Sequence, residues 1–131
     1  MSLKKLGVFA AILAATACAS TPGPGGTWVR LGESTVTDRL EGDRIIVGAA
    51  RGQFREIKLR VDRASVDFYD VIVHLGNGTR EQVSIRRTIN AGSETRNIDL
   101  GGRRTIRAVE FLYDANTLVG RQARVIILGK R

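Results

Sequence analysis

Apolar and polar residues alternate along short segments of the chain, and the glycines between the segments, Gly101 and Gly102 among them, are expected to form turns. The clearest segment is 57–62, in which Ile57, Leu59 and Val61 alternate with charged residues. A period of two places successive side chains on opposite faces of a β-strand, one towards the core and one towards solvent. Segments of similar composition span residues 27–31, 44–47, 66–75, 80–86, 95–100, 105–113 and 123–128. The pattern predicts an all-β fold, an antiparallel β-sandwich of about eight strands.

One turn in this arrangement is predicted in detail. Asn77-Gly78 lies between the segments 66–75 and 80–86. This dipeptide between two β-type segments indicates a hairpin, because both residues tolerate the positive φ that a tight primed turn requires. The two segments are therefore expected to pair as neighbouring antiparallel strands.

The segment 105–113 contains a change of parity. Ile106 and Ala108 fall on one face, whereas Val109 and Phe111 fall on the other. Either a β-bulge near Arg107 or burial of both faces would produce this change. By contrast, the segment 123–128 is apolar almost throughout, which predicts a central strand of the fold.

The first 18 residues have the organisation of a bacterial export signal. Lys4 and Lys5 precede an apolar run of about a dozen residues that ends in small side chains. Such a run is too short to cross a bilayer, which takes about 20 residues. We therefore predict a signal segment at 1–18, a flexible Gly/Pro tether at 19–26 and a single β-sandwich domain at 27–131.

Cys18 is the only cysteine, and it leaves two possibilities for processing. Ala17-Cys18-Ala19 offers an Ala-x-Ala cleavage site, which would remove the cysteine. Alternatively, residues 15–18 resemble a bacterial lipobox, although Ala15 stands where that motif prefers Leu, and Cys18 would then carry a lipid anchor. The expected location is periplasmic or attached to the outer membrane as a lipoprotein, and otherwise secreted.

The chain is strongly basic, with 21 Lys and Arg against 13 Asp and Glu and a net charge of +8. A surplus of this size attracts anionic partners. Only four of the basic residues are Lys, and arginine can grip phosphate or carboxylate through two parallel hydrogen bonds. Arg-rich codon usage or a solvated, salt-bridged face would also explain this composition. The candidate anion-binding residues are Arg86, Arg87, Arg103, Arg104 and Arg107.

Other chemistry is sparse in the sequence. His74 is the only histidine, and no cysteine follows Cys18. The carboxylates mostly adjoin arginines or turns, as Asp43 adjoins Arg44, so local salt bridges and turn caps are expected of them. No catalytic residue, metal site or cofactor is therefore predicted, and the protein is expected not to be an enzyme. Trp28 or Tyr69 could form a platform for a sugar, but a core position is favoured for Trp28. Nucleic acid is not expected as a partner, because the basic stretch contains no aromatic residue for base stacking.

Several short segments together resemble a family of small exported bacterial proteins of undescribed function. They are Trp28-x-x-Leu31-Gly32, Asp43-Arg-Ile-Ile-Val-Gly48, Gly52-Gln-Phe54-Arg-x-Ile57-x-Leu59, Gly76-Asn-Gly78, Arg96-x-Ile-Asp-Leu100 and Arg104-x-Ile-x-x-Val109-x-Phe111-x-Tyr113. The resemblance covers most of residues 28–129. It implies a β-sandwich of the cell envelope and transfers no active site.

These observations favour a non-enzymatic envelope module that binds anionic ligands through an arginine-rich face. The alternative is a carbohydrate-binding sandwich domain, and a hydrolase that uses scattered carboxylates is less favoured. The expected partner is an anionic envelope polymer or another envelope protein, with the membrane contacted only through the lipid anchor. The sequence leaves the oligomeric state open.

Overall fold

The structure, a computed structural model, describes residues 27–39, 41–115 and 118–131. Seven strands account for most of them, and a 3-10 turn spans Ala49–Arg51. The strands are β1 (Trp28–Val36), β2 (Gly42–Ile46), β3 (Gln53–Asp62), β4 (Val66–Leu75), β5 (Arg80–Ile89), β6 (Ile98–Tyr113) and β7 (Ala123–Lys130). The described residues include no helix long and apolar enough to cross a membrane. The predicted signal segment, the tether and Cys18 lie outside the described residues.

The all-β prediction is confirmed, with seven strands instead of about eight. The difference arises at β6, which joins the two segments expected at 95–100 and 105–113 into one 16-residue strand. A pair of glycines, Gly101 and Gly102, separates those segments in the sequence and was expected to form a turn. Both adopt positive φ, 77° and 120°, yet the chain continues along the sheet. They form an irregularity within a strand.

All strand pairs are antiparallel and form one continuous sheet, in the order β1-β7-β3-β6-β4-β5, with β2 added along β6. The first part of β6 pairs with β3, and the second part pairs with β4 and β2. This long strand therefore belongs to both halves of the sheet. Since the apolar faces of both halves contribute to one buried cluster, the architecture is sandwich-like.

The alternation predicted from the sequence corresponds to the core. Ile57, Leu59 and Val61 on β3 are completely buried, and the residues between them are partly exposed. On the paired strands β4 and β6, the ring centroids of Phe68 and Phe111 lie 6.0 Å apart in an edge-to-face arrangement. The central position predicted for 123–128 is also confirmed, because β7 lies between β1 and β3.

The parity change in β6 results from a β-bulge, as predicted. His74 pairs with Ala108 and Leu75 pairs with Ile106, so Arg107 is the extra residue on β6. The carbonyl oxygen of Arg107 accepts hydrogen bonds from the backbone N–H groups of Val47 (2.9 Å) and Gly48 (3.2 Å). The bulge therefore reverses the facing of side chains along β6 and holds the segment that follows β2.

Trp28 does not occupy the core position favoured from the sequence. It is partly exposed at the start of β1 and is not part of the buried cluster. The Nζ atoms of Lys58 and Lys130 lie 4.2 Å and 5.8 Å from its ring centroid. Because cations are attracted to the face of an indole ring, this end of the sheet concentrates positive charge around an aromatic side chain.

Candidate anion-binding site

An open cavity of about 820 Å³ lies where the ends of several strands meet. Its walls come from β2, the 3-10 turn, the start of β3, the β4–β5 hairpin and the middle of β6. The predicted hairpin is confirmed: Leu75 N–H donates to Thr79 O at 2.9 Å, and Gly78 N–H donates to Leu75 O at 3.0 Å. Of the Asn77-Gly78 pair only Gly78 has a positive φ, 91°, so the turn is not of the primed type. The backbone N–H of Gly76 also donates to Thr105 O at 2.8 Å, which fixes the hairpin against β6.

Five arginines line this cavity, namely Arg44, Arg80, Arg103, Arg104 and Arg107. Three of them are among the candidates from the sequence, and Arg44 and Arg80 are additional. Among the described residues that line the cavity, none is an aspartate or glutamate. The cavity is therefore a concave surface with one sign of charge, a shape that concentrates the electrostatic field on a bound anion.

Two irregularities of β6 bring its three arginines to the cavity. Arg107 is the bulged residue opposite β4, and its side chain is exposed. Arg103 and Arg104 follow a wider irregularity, since Phe54 pairs with Arg104 and Glu56 pairs with Asp99. Arg103 is exposed. Arg104 is partly buried, and its Nη1 donates to Leu100 O at 3.3 Å. This side chain therefore also stabilises the irregular stretch of β6 between Asp99 and Arg104.

Arg86 and Arg87 do not join the other candidates. They lie on β5, where Arg87 pairs with Phe68, whereas the cavity residue Arg80 pairs with His74 at the other end of the same ladder. Seven residues of strand correspond to roughly 24 Å. The structure thus divides the predicted set into three arginines at the cavity and two at a distance from it.

His74 lies in the cavity wall and is tied to a neighbouring carboxylate. Its Nε2 is 3.0 Å from Oε1 of Glu110, which is also 3.6 Å from Nη2 of Arg44. The hydrogen bond from His74 lowers the pKa of Glu110 below its ordinary value, and the charge of Arg44 acts in the same direction against the effect of burial. Of the five cavity arginines, Arg44 is therefore partly neutralised.

We expect Glu110→Gln to flatten the loss of stability in acid. Because the pKa of Glu110 is lowered in the folded protein, its carboxylate stabilises the fold above the ordinary value of 4.5. That contribution disappears as the pH falls through the lowered pKa. The free energy of unfolding in urea, measured at about pH 5 and about pH 3, should therefore fall less in the variant than in the wild type. Glu81→Gln on the exposed face of β5 is the control, and an equal flattening by Glu81→Gln would contradict the assignment.

The two aromatic residues considered as sugar platforms lie apart from the cavity. Neither Trp28 nor Tyr69 lines it. The face of Trp28 lies under the Lys58 ammonium, and Tyr69 is 44% exposed on β4. The pKa of Tyr69 is raised, chiefly by the negative charge of Asp114, with smaller effects from burial, Asp67 and Glu41. Three carboxylates thus act on Tyr69, whereas no described carboxylate lines the cavity.

Arg44 and Arg80 were absent from the sequence-based set for different reasons. Arg80 could have been inferred, because a hairpin at Asn77-Gly78 places it across from His74. Arg44 was interpreted as a salt-bridge partner of its neighbour Asp43. In the structure the Asp43 carboxylate accepts the backbone N–H of Arg44 at 2.8 Å and the hydroxyl of Ser34, while the Arg44 guanidinium turns towards Glu110.

The sequence profile of a family described as "Domain of unknown function (DUF2541)" matches residues 6–129. The chain belongs to the DUF2541 family. This confirms the resemblance to a family of undescribed function. No curated protein matches the chain significantly.

A solved structure supports the fold of this DUF2541 domain. It comes from work described as "Structural and functional characterization of Pseudomonas aeruginosa AlgX" and has a TM-score of 0.55 at 15% sequence identity. The match covers 79% of this chain and 27% of the AlgX chain, so the domain is similar to about a quarter of that protein. At this identity the similarity concerns the fold alone.

Proposed function

We propose that this DUF2541 domain is a non-enzymatic module of the cell envelope that binds an anionic ligand in the arginine-lined cavity. The observation that carries the proposal is the convergence of Arg44, Arg80, Arg103, Arg104 and Arg107 on one concave surface that no carboxylate of the described residues lines. Phosphate, sulfate and carboxylate groups all match the two parallel donors of a guanidinium. The export pattern of residues 1–18 supports the envelope location.

If the cavity surface were instead a set of salt bridges that neutralise one another, each of its arginines would lie close to a carboxylate. Among the described residues, Arg80, Arg103 and Arg107 have no carboxylate within 4.0 Å, and the ion pairs of the domain involve other cations except at Arg44. Three unpaired guanidinium groups around one cavity repel one another. An anion in the cavity would reduce that repulsion and accept hydrogen bonds from the guanidinium N–H groups.

The test is the binding of dextran sulfate and of uncharged dextran to the chain from Ala19 onward. All seven strands and the core lie within residues 27–131, so this chain keeps the domain and lacks the apolar run and Cys18. We expect dextran sulfate to bind. The double variant Arg103→Gln/Arg107→Gln should weaken that binding about tenfold or more, which is a loss of about 1.4 kcal/mol or more in binding free energy. Both side chains are exposed, so their loss should leave the fold intact.

The matched control is Arg86→Gln/Arg87→Gln, which removes the same charge at a distance from the cavity. It should change the affinity less than twofold if the cavity is the site. Equal loss in both double variants would show that only the net charge of the protein matters, and would overturn the proposal. Binding of uncharged dextran that is insensitive to salt would instead support a carbohydrate-binding domain.

A further inference from the structure

The cavity lies at the same end of the sheet as the start of the domain. Trp28 pairs with Lys130 at the ends of β1 and β7, and the next residue, Arg131, donates to the carbonyl oxygen of Arg51 at 3.1 Å. Arg51 also donates to the carbonyl oxygen of Arg30 on β1. Since Ala49 of the same 3-10 turn lines the cavity, direct contacts connect the first and last strands to the cavity wall.

This end of the domain carries a concentrated positive charge. Arg51, Lys130 and Arg131 add to the five cavity arginines. Carboxylates also lie nearby: Glu110 is 3.6 Å from Arg44, Glu56 is the cross-strand neighbour of Lys130 in the ladder, and Asp99 Oδ1 accepts the N–H of Gly101 at 2.8 Å. The opposite end of β4, around Tyr69, carries Asp67, Asp114 and Glu41. That end also carries Arg87, the cross-strand neighbour of Phe68 on β5, so both signs of charge occur there, whereas the charged side chains that line the cavity are arginines.

An exposed apolar side chain accompanies the charge. Ile46 is 68% exposed, lines the cavity and lies two residues after Arg44. A single aliphatic side chain beside several arginines is suited to the boundary between headgroups and acyl chains of a membrane, where both kinds of side chain are stabilised. A water-soluble polyanion would satisfy the arginines alone.

We propose that this basic end, formed by the cavity arginines with Ile46, Arg51, Lys130 and Arg131, docks on the anionic headgroup surface of a membrane. The inference rests on the proposed function and names the phosphate groups of anionic lipids as the anions. The ten residues from Cys18 to Trp28 span at most about 35 Å when fully extended. A domain held at Cys18 would thus be kept close to that surface, with its tether leaving from the docking end.

The test uses the chain from Ala19 onward and vesicles of phosphatidylglycerol mixed with phosphatidylcholine, compared with phosphatidylcholine alone. We expect sedimentation with the anionic vesicles only, and loss of binding when added salt screens the charges. A basic residue near an anionic surface contributes about 1 kcal/mol, or about fivefold, so Arg103→Gln/Arg107→Gln should weaken binding about 25-fold. The control Arg86→Gln/Arg87→Gln should weaken it less than twofold.

Orientation can be measured independently, because Trp28 is the only tryptophan. Docking through the basic end brings Trp28 to the surface, so its emission should transfer energy efficiently to dansyl-labelled headgroups in the anionic vesicles. Sedimentation without energy transfer, or equal weakening by the two double variants, would overturn docking through this end. Binding of dextran sulfate without any binding to anionic vesicles would overturn the membrane as partner and leave the proposed function standing. Failure of both ligands would refute both proposals.

Discussion

Replacement of Phe111 by alanine is expected to lower the free energy of unfolding by about 3–5 kcal/mol. Phe111 is completely buried on β6, at the point where this strand pairs with both β2 and β4. Its ring packs against the edge of Phe68 at 6.0 Å and lies 5.9 Å from the ring of Tyr113. Truncation therefore removes contacts with both aromatic neighbours and leaves a cavity. The surrounding residues cannot collapse into it, because β6 is held there by its pairing with β2 and with β4.

The measurement is urea unfolding, with Tyr69→Ala as the matched aromatic control. Tyr69 lies on the neighbouring strand β4, but its ring is 44% exposed, so its removal should cost far less than that of Phe111. Phe111→Leu should recover most of the loss, because it restores much of the buried apolar volume. A cost for Phe111→Ala no greater than that for Tyr69→Ala would contradict the placement of Phe111 at the centre of the core.

Gly129→Val is expected to destabilise the domain by about 3 kcal/mol, at the upper end of the range for overpacking. Gly129 is buried on β7 without positive φ, so the constraint is spatial rather than conformational. A Cβ atom at this position would lie 2.8 Å from Cδ1 of Leu31 and 2.8 Å from Cδ1 of Phe54. Both neighbours belong to the core and have little room to move.

A size series at position 129 tests this explanation. Gly129→Ala should cost less than Gly129→Val, because each added methyl group forces a further displacement of Leu31 or Phe54. Thermal unfolding of the three proteins should therefore rank glycine above alanine above valine. An alanine variant as stable as the wild type would show that β1 and β3 separate easily at this end of the sheet.

Much of the local structure could be predicted from the sequence because it depends on neighbouring residues. The strict alternation of residues 57–62 determined a strand with one buried face, and Asn77-Gly78 determined a hairpin. The bulge at Arg107 was visible as a change of parity. Gly101 and Gly102 were misinterpreted as a turn, because positive φ occurs both in turns and in strand irregularities. Only the pairing of β6 with the same neighbour, β3, on both sides of these glycines distinguishes the two.

The candidate site was less predictable, because it depends on contacts between distant segments. Arg86 and Arg87 joined the set through their proximity in sequence to the other arginines, yet the β5 ladder carries them away from the cavity. Arg44 comes to the cavity on β2, a strand whose pairing with β6 cannot be inferred from local pattern. Successive side chains of a strand also point to opposite faces, so adjacent Asp and Arg residues are poor candidates for a mutual salt bridge.

The single extra residue at Arg107 has a consequence for how this family can vary in length. One residue sets the relative facing of the two ends of β6, which serve different halves of the core. An insertion or deletion of one residue between 104 and 113 would reverse the facing of the side chains on one side of it, because side chains alternate with a period of two. Gaps in this part of the strand should therefore be rare among relatives that keep the fold. Changes in length should be confined to the connections between strands and to the irregular stretch 100–103, and they would reshape the cavity rim while preserving the core.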